Sequence, residues 1–155
     1  MVQPASRYSQ GVEVGANARW LHISGQIGAA PDGTVAKGLE AQFKQAFENI
    51  GTVLAAAGMA KTNLVKVTVF VTVRDLETVG IYRKARDQWM EGHAPAATYL
   101  VVAGLAHRDY LVEIEAIAAA YGLIIFERIE GLYFPSLRFS GPMGRRKIGE
   151  MLWLN

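Results

Sequence analysis

The sequence predicts an α+β domain in which two helices cover one face of a mixed β-sheet. Two segments carry the 3.6-residue apolar period of amphipathic helices, and a strictly alternating segment lies between them. The chain has 155 residues and a hydrophobic content of 51%, enough for one domain with a substantial core. Four shorter strand candidates surround these elements, so the predicted order is β-β-α-β-α-β-β.

The first helix is predicted over residues 39–57, where apolar residues recur at helical spacing and Gly58 follows as a stop. The second, weaker helix is predicted over residues 76–90, and the segment "EGHAP" closes it. The first apolar stripe comprises Leu39, Phe43, Phe47, Ile50, Val53 and Leu54. The second comprises Leu76, Val79, Tyr82, Ala85 and Trp89.

The clearest strand is "NLVKVTVFVTV", residues 63–73, in which valines alternate strictly with other residues. The remaining strand candidates are residues 11–14, 20–24, 98–103 and 110–119. Between the second and third strands, "APDGT" at residues 30–34 is a turn signal.

The sheet face opposite the helices is predicted to be too apolar to be left in water. Its predicted apolar members are Leu64, Phe70, Leu100, Val102, Leu111 and Ile117. Such a patch commonly marks an interface, so we expect a partner subunit to cover it. In "LVEIEAIA", residues 111–118, strand geometry puts Glu113 and Glu115 on this face. The simpler alternative is that both carboxylates mark a solvated face.

Charge and composition exclude several classes of function. The net charge is +2, but residues 1–122 hold eleven Lys and Arg against eleven Asp and Glu, so the excess lies after Gly122. This balance argues against nucleic acid as a partner.

The absence of cysteine excludes disulfides, thiolate zinc sites and a cysteine nucleophile. No signal peptide and no membrane-spanning apolar run are found, so we expect a cytoplasmic protein without a membrane partner.

Residues 122–155 form a separate C-terminal extension, because their short apolar runs are mixed with Gly, Pro and Arg without a sustained period. The domain proper is therefore predicted over residues 1–121. Aromatic residues and the final "MLWL" argue against disorder, so we expect the extension to dock on the body.

Several motifs together resemble the Rid family, also called YjgF-type or endoribonuclease L-PSP-like. The motifs are Tyr8-Ser9-Gln10, Ser24-Gly25-Gln26-Ile27-Gly28, "FENIGTVLAAAG", "VKVTVFVT" and "VEIEAIA", which occur in the order and spacing of that family across about residues 8–120. The resemblance implies a chorismate-mutase-like α+β fold assembled as a homotrimer, with a small-molecule cleft between neighbouring subunits. That assembly agrees with the apolar second face.

The resemblance also implies hydrolytic deamination of enamines or imines, such as 2-aminoacrylate, without a cofactor or metal. It places Glu115 as the acid-base residue and Tyr8, Ser24 and Gly25 in the cleft, whereas Glu113 is expected to be structural. The chemistry is reasonable because a protonated imine is already electrophilic, and one carboxylate within hydrogen-bond reach can activate water.

The segment "HAPAATYLVV" departs from the family pattern. It places Ala97 where active members have an arginine that grips the substrate carboxylate, with Thr98 and Tyr99 following in the cleft. Alanine cannot form the guanidinium–carboxylate fork, an interaction worth about 1.5–3 kcal/mol, so usual 2-imino acid activity is expected to be weakened. We expect Tyr99 to reshape the cleft in favour of an uncharged or aromatic substrate.

Another cation could take the place of the missing arginine. Arg108 in the loop "AGLAHRDY" is one candidate; Arg19 and Lys66 are two others.

Two other functions stay open from the sequence. The chain could be a non-catalytic family member that binds a small ligand or a protein through the same cleft. It could also be a ribonuclease or translation inhibitor, although the even charge of the body argues against that function.

Overall fold

The computed structural model describes residues 6–121, so the predicted extension at residues 122–155 lies outside the described residues. The elements in chain order are β1 (Arg19–Ile27), α1 (Leu39–Ala56), a single 3₁₀ turn (Lys61–Asn63), β2 (Leu64–Val71), α2 (Glu77–Met90), β3 (Ala96–Val101) and β4 (Val112–Ala120). Within residues 6–121, neither helix has the length and apolar character needed to cross a bilayer.

The four strands form one mixed sheet in the order β1-β4-β2-β3. Strand β4 is antiparallel to both β1 and β2, whereas β2 and β3 are parallel. Helix α2 makes the crossover between β2 and β3, as a parallel pair requires. The predicted mixed sheet with two helices is therefore confirmed.

The core lies between the helices and one face of the sheet. From α1, Phe43, Phe47 and Ile50 are fully buried, and they belong to the same apolar cluster as Val69 and Ile114 of the sheet. The predicted period of α1 is confirmed, and Gly58 follows the helix with a positive φ of 62°. In β4 alternate residues face this cluster, so the intervening glutamates lie on the face that the helices leave uncovered, hereafter the open face.

The strand predicted at residues 11–14 was wrong, because this segment has no regular structure and Val12 is 43% exposed. Just before this segment, Ser9 makes an isolated parallel bridge with Ala96 at the edge of the sheet. The Ser9 Oγ donates a hydrogen bond of 2.6 Å to the Ala94 carbonyl oxygen. Gly11 is one of these four residues and Gly15 follows them, and glycine disfavours strand structure.

Two predicted members of the open face, Leu64 and Leu111, lie in or against the core instead. A β-bulge between Leu64 and Lys66 changes the phase of β2, so Leu64 is 1% exposed. Leu111 precedes β4 and packs against the core, and its N–H donates a 2.8 Å hydrogen bond to Gln42 Oε1. The other predicted members Phe70, Leu100 and Ile117 do lie on the open face. Phe70 and Ile117 each lie between two buried residues of their strands, and Leu100 pairs with Phe70.

The apolar stripe predicted for α2 was partly wrong. Leu76 precedes the helix and is 94% exposed, whereas Tyr82 and Ala85 are buried as predicted. A charged residue, Arg86, is also buried on this helix and is only 2% exposed. Its surroundings bear directly on the functional site.

Candidate functional site

A row of polar residues crosses all four strands on the open face. Glu115 of β4 pairs with Thr68 of β2, which pairs in turn with Thr98 of β3. On the other side of β4, strand β1 has a bulge. Ile23 pairs with Ala116 and Gln26 pairs with Ile114, so the two residues between them, Ser24 and Gly25, both lie opposite Glu115. We call Ser24, Glu115, Thr68 and Thr98 the polar row. The predicted site residues Ser24, Gly25, Thr98 and Glu115 are thus brought together.

The Glu115 carboxylate is available for chemistry. Its residue is exposed, and it makes no hydrogen bond or ion pair with any residue in the range 6–121. At the far end of the row, the Lys66 ammonium donates a hydrogen bond to Thr98 Oγ1. The row therefore combines a free carboxylate with hydroxyl groups and one cation, a set suited to proton transfer and hydrogen bonding.

Glu113 has a different environment from Glu115. Its side chain is half-buried and lies over Gly25, so that a Cβ at residue 25 would come within 1.8 Å of Glu113 Oε1 and 2.6 Å of Cδ. Glycine at this position is required by the close approach of the glutamate rather than by backbone torsion. The contact is consistent with the predicted structural role of Glu113.

The other three predicted site residues lie on the opposite side of the sheet. Ala97 and Tyr99 pair with Val67 and Val69, which are fully buried beneath the helices. A cavity of about 220 Å³ opens there between α2 and β3, and we call it the α2–β3 cavity. It is lined by Ser6, Tyr8, Val79, Tyr82, Arg83, Arg86, Ala97 and Tyr99. Within one protomer, the structure therefore separates Tyr8, Ala97 and Tyr99 from Glu115.

Tyr99 forms a wall of this cavity. Its hydroxyl donates a 2.9 Å hydrogen bond to Thr78 Oγ1, and its ring lies 5.3 Å from the ring of Tyr82. Burial raises the pKa of both tyrosines, with a smaller opposing effect from Thr78 on Tyr99 and from Arg86 on Tyr82. Both hydroxyls therefore stay protonated at neutral pH.

The arginines of α2 were not among the site residues predicted from the sequence. The Nε and Nη2 atoms of Arg86 donate to Asp87 Oδ1 at 2.9 and 2.7 Å, and Nη1 lies 3.4 Å from Ser6 Oγ. The guanidinium also lies over the Tyr82 ring, 5.3 Å from its centroid. Val79, Tyr82, Arg83 and Arg86 follow helical i, i+3, i+4, i+7 spacing, which was the available signal.

The cations considered as replacements for the missing arginine lie elsewhere. Arg19 Nη1 donates a 2.9 Å hydrogen bond to the Ala57 carbonyl oxygen at the end of α1. Arg108 lines a different cavity, of about 460 Å³, beside Lys37 and Gln42. Lys66 is on the open face. None of the three lines the α2–β3 cavity. Within residues 6–121, no three His, Asp or Glu side chains converge in a manner that could hold a metal ion.

The family model described as Endoribonuclease L-PSP matches residues 1–120. The chain belongs to this family, also known as the Rid or YjgF family. Among curated Rid relatives, the human 2-iminobutanoate/2-iminopropanoate deaminase is 40% identical over 115 residues, covering 72% of this chain and 78% of the relative. The mouse protein of the same name is 39% identical over 113 residues, covering 72% of this chain and 79% of the relative.

Solved structures of Rid relatives share the fold. YyfB from Yersinia pestis, described as a protein of unknown function of the conserved Rid family, has a TM-score of 0.69 and 29% identity, covering 74% of this chain and 87% of that one. The structure of E. coli TdcF with bound serine has a TM-score of 0.61 and 30% identity, covering 78% of this chain and 91% of that one. The predicted Rid-family membership is therefore confirmed.

Proposed function

We propose that this Rid-family protein hydrolyses a small imine or enamine and releases ammonia, with Glu115 as the acid-base residue. The observation that carries the proposal is the unpaired Glu115 carboxylate within the polar row, on a sheet face that has exposed apolar residues. Relatives named 2-iminobutanoate/2-iminopropanoate deaminase support the substrate class.

The reaction needs only water and proton transfer. Glu115 accepts a proton from water as the oxygen attacks the imine carbon, and the C=N double bond becomes a single bond. For the protonated imine, Glu115 then returns that proton to nitrogen. As the C–N bond breaks and ammonia leaves, Glu115 takes the proton of the new hydroxyl group, a carbonyl group forms, and the proton passes to solvent. Ser24 and Thr98 are placed to exchange hydrogen bonds with water or substrate in the same row. The carboxylate ends in its starting state.

We infer that two subunits complete the site, as in a homotrimer with three clefts. Glu115 on the open face and the cavity that holds Tyr8 and Ala97 lie on opposite sides of one sheet, so a single small substrate can contact both only across a subunit boundary. Exposed apolar side chains support a subunit boundary on the open face. Leu100 is 43% exposed and Trp20 is 50% exposed. Trp20 lies on this face because it pairs with Ala119, which is on the same side of β4 as Glu115.

The alanine at position 97 affects the choice of substrate. The serine bound to E. coli TdcF carries an amine and a carboxylate, so a small amino-acid-like ligand agrees with the proposal. However, residue 97 cannot donate hydrogen bonds to a carboxylate in this chain. We expect weaker use of 2-imino acids than an arginine at this position would give, unless another guanidinium contacts the same cavity.

An RNA-directed activity, which the family description names, has less support. Residues 1–122 carry as many acidic as basic side chains, and phosphate-backbone binding depends on clustered positive charge.

The direct test is an imine-decay assay. Imines generated in place by amino-acid oxidases, including 2-iminopropionate, are followed by semicarbazide trapping with and without the protein. Acceleration by the wild-type chain, and its loss in Glu115→Gln, is the expected result. A folded wild-type protein that accelerates the decay of no imine would contradict the proposal and leave ligand binding as the function.

A further inference from the structure

The α2–β3 cavity has a positive charge that its lining does not neutralise. Within residues 6–121, eight residues line it, of which Arg83 and Arg86 are cationic and none is acidic. Of the two, Arg86 is already paired with Asp87 through two of its nitrogens, so its charge is largely compensated. The net charge of the cavity therefore depends on Arg83.

Arg83 is free to bind a ligand. It is partly exposed, and it makes no hydrogen bond or ion pair with any residue between 6 and 121. It lies one turn before Arg86 on α2 and lines the same cavity as Ala97. A guanidinium offers five N–H donors in a planar fork that matches a carboxylate.

A second group in the same cavity also lacks a well-formed hydrogen bond. The Tyr82 hydroxyl is buried, the residue being 4% exposed, and no group in the described part of the chain has full hydrogen-bond geometry with it, although the nearby Arg86 guanidinium opposes the effect of burial on its pKa. A buried hydroxyl without a partner is destabilising, and a ligand oxygen would satisfy it. By contrast, the Tyr99 hydroxyl is already used in its bond to Thr78.

We propose that Arg83, assisted by the Tyr82 hydroxyl, binds the carboxylate of a small 2-imino or 2-keto acid in the α2–β3 cavity, in place of a cation at residue 97. This assignment rests on the proposed function for the nature of the reacting group. A cavity of about 220 Å³ has room for a carboxylate and a short side chain. Arg83 then determines specificity for anionic substrates.

The test is a binding titration with pyruvate, an unreactive analogue of the imino acid, and with uncharged pyruvamide as the comparison. Wild-type protein is expected to bind pyruvate and to discriminate against pyruvamide. Arg83→Gln should weaken pyruvate binding at least about tenfold, because one charge-assisted pair is lost. Tyr82→Phe should weaken it less. Lys44→Gln, which removes an exposed cation on α1, is the matched control and should bind like wild type.

Equal binding of pyruvate by Arg83→Gln and wild type, equal binding of pyruvamide and pyruvate, or no pyruvate binding at all would each overturn the inference. The proposed function is tested separately, because Glu115→Gln should retain pyruvate binding while losing turnover. A protein that binds pyruvate through Arg83 but hydrolyses no imine would refute the activity alone. One that hydrolyses uncharged imines without binding pyruvate would refute only the role of Arg83.

Discussion

Glu115 and Ala97 lie on opposite faces of the same sheet, Glu115 on the open face and Ala97 beneath helix α2. The proposed acid-base group and the α2–β3 cavity therefore belong to different surfaces of the protomer. In the proposed two-subunit site, a substrate that contacts both lies between neighbouring subunits.

The two glutamates of β4 should differ sharply in their effect on turnover. Glu115→Gln removes the group that moves protons, and we expect kcat to fall by about 10² to 10⁴. Glu113→Gln keeps the size and the packing over Gly25, so we expect less than about a threefold change. Ammonia release at saturating imine measures both. Equal losses in the two variants would contradict the separate roles.

Gly25→Ala should destabilise the fold. The added Cβ would collide with the Glu113 carboxyl group, and we expect the free energy of unfolding to fall by about 1–3 kcal/mol in urea denaturation. The double variant Gly25→Ala/Glu113→Ala should recover most of this loss, because the colliding group is gone.

Gly80→Ala is the matched control for that pair. A Cβ at residue 80 on α2 meets no atom within 4 Å. Alanine should therefore stabilise the helix, by about 0.5–1 kcal/mol. If Gly25→Ala behaved like Gly80→Ala, the contact between Glu113 and Gly25 would not exist in solution.

A guanidinium at residue 97 should compensate for the loss of the one at residue 83. We expect Ala97→Arg to restore the pyruvate affinity of Arg83→Gln to within about threefold of wild type, since both positions line one cavity. In the wild-type background the gain should be small, because Arg83 already supplies the contact. Additive effects in the four-member mutant cycle would show that the two positions act on different ligand groups.

The buried Tyr82 should make the protein less stable in alkali. Burial raises the pKa of its hydroxyl in the folded state, so an unfolded chain releases the proton first and stability is lost as pH rises above about 10. Below that pH this contribution is fully present. Tyr82→Phe should reduce the loss of unfolding free energy between about pH 8 and pH 10.5. An identical pH dependence in the variant would contradict a buried, protonated Tyr82.

Much of the fold follows from residue periodicity. Helix α1 was predictable because its long apolar stripe has helical spacing and fits no strand. Strand β4 was predictable because its glutamates alternate with apolar residues, which are buried in the structure. The face assigned to Leu64 was not predictable, because a single bulged residue in β2 reverses the alternation without any glycine or proline to mark it. Residues 11–14 show the converse case, in which local apolar content is present but the segment forms no strand.

The candidate site was predictable in some of its members but not in its geometry. Glu115 could be identified as a candidate from its position between apolar residues and from the family resemblance. The helical spacing of the α2 arginines puts them on one side of the helix, but their proximity to Ala97 depends on how the crossover helix lies over β3, which periodicity alone does not specify. For the same reason, Tyr99 was expected beside Glu115 rather than against Tyr82.

The central claim, that neighbouring subunits each supply half of a site, is tested most directly by mixing two variants. Glu115→Gln lacks the carboxylate, and Ala97→Phe fills the α2–β3 cavity; size and circular dichroism first establish that both fold and assemble. Each alone should be inactive on the imine. After random 1:1 reassociation, about a quarter of the sites combine an open cavity with an intact Glu115, so imine hydrolysis should return to about a quarter of wild type. Verified mixed oligomers that stay as inactive as their parents would show that the two halves do not meet across a subunit boundary.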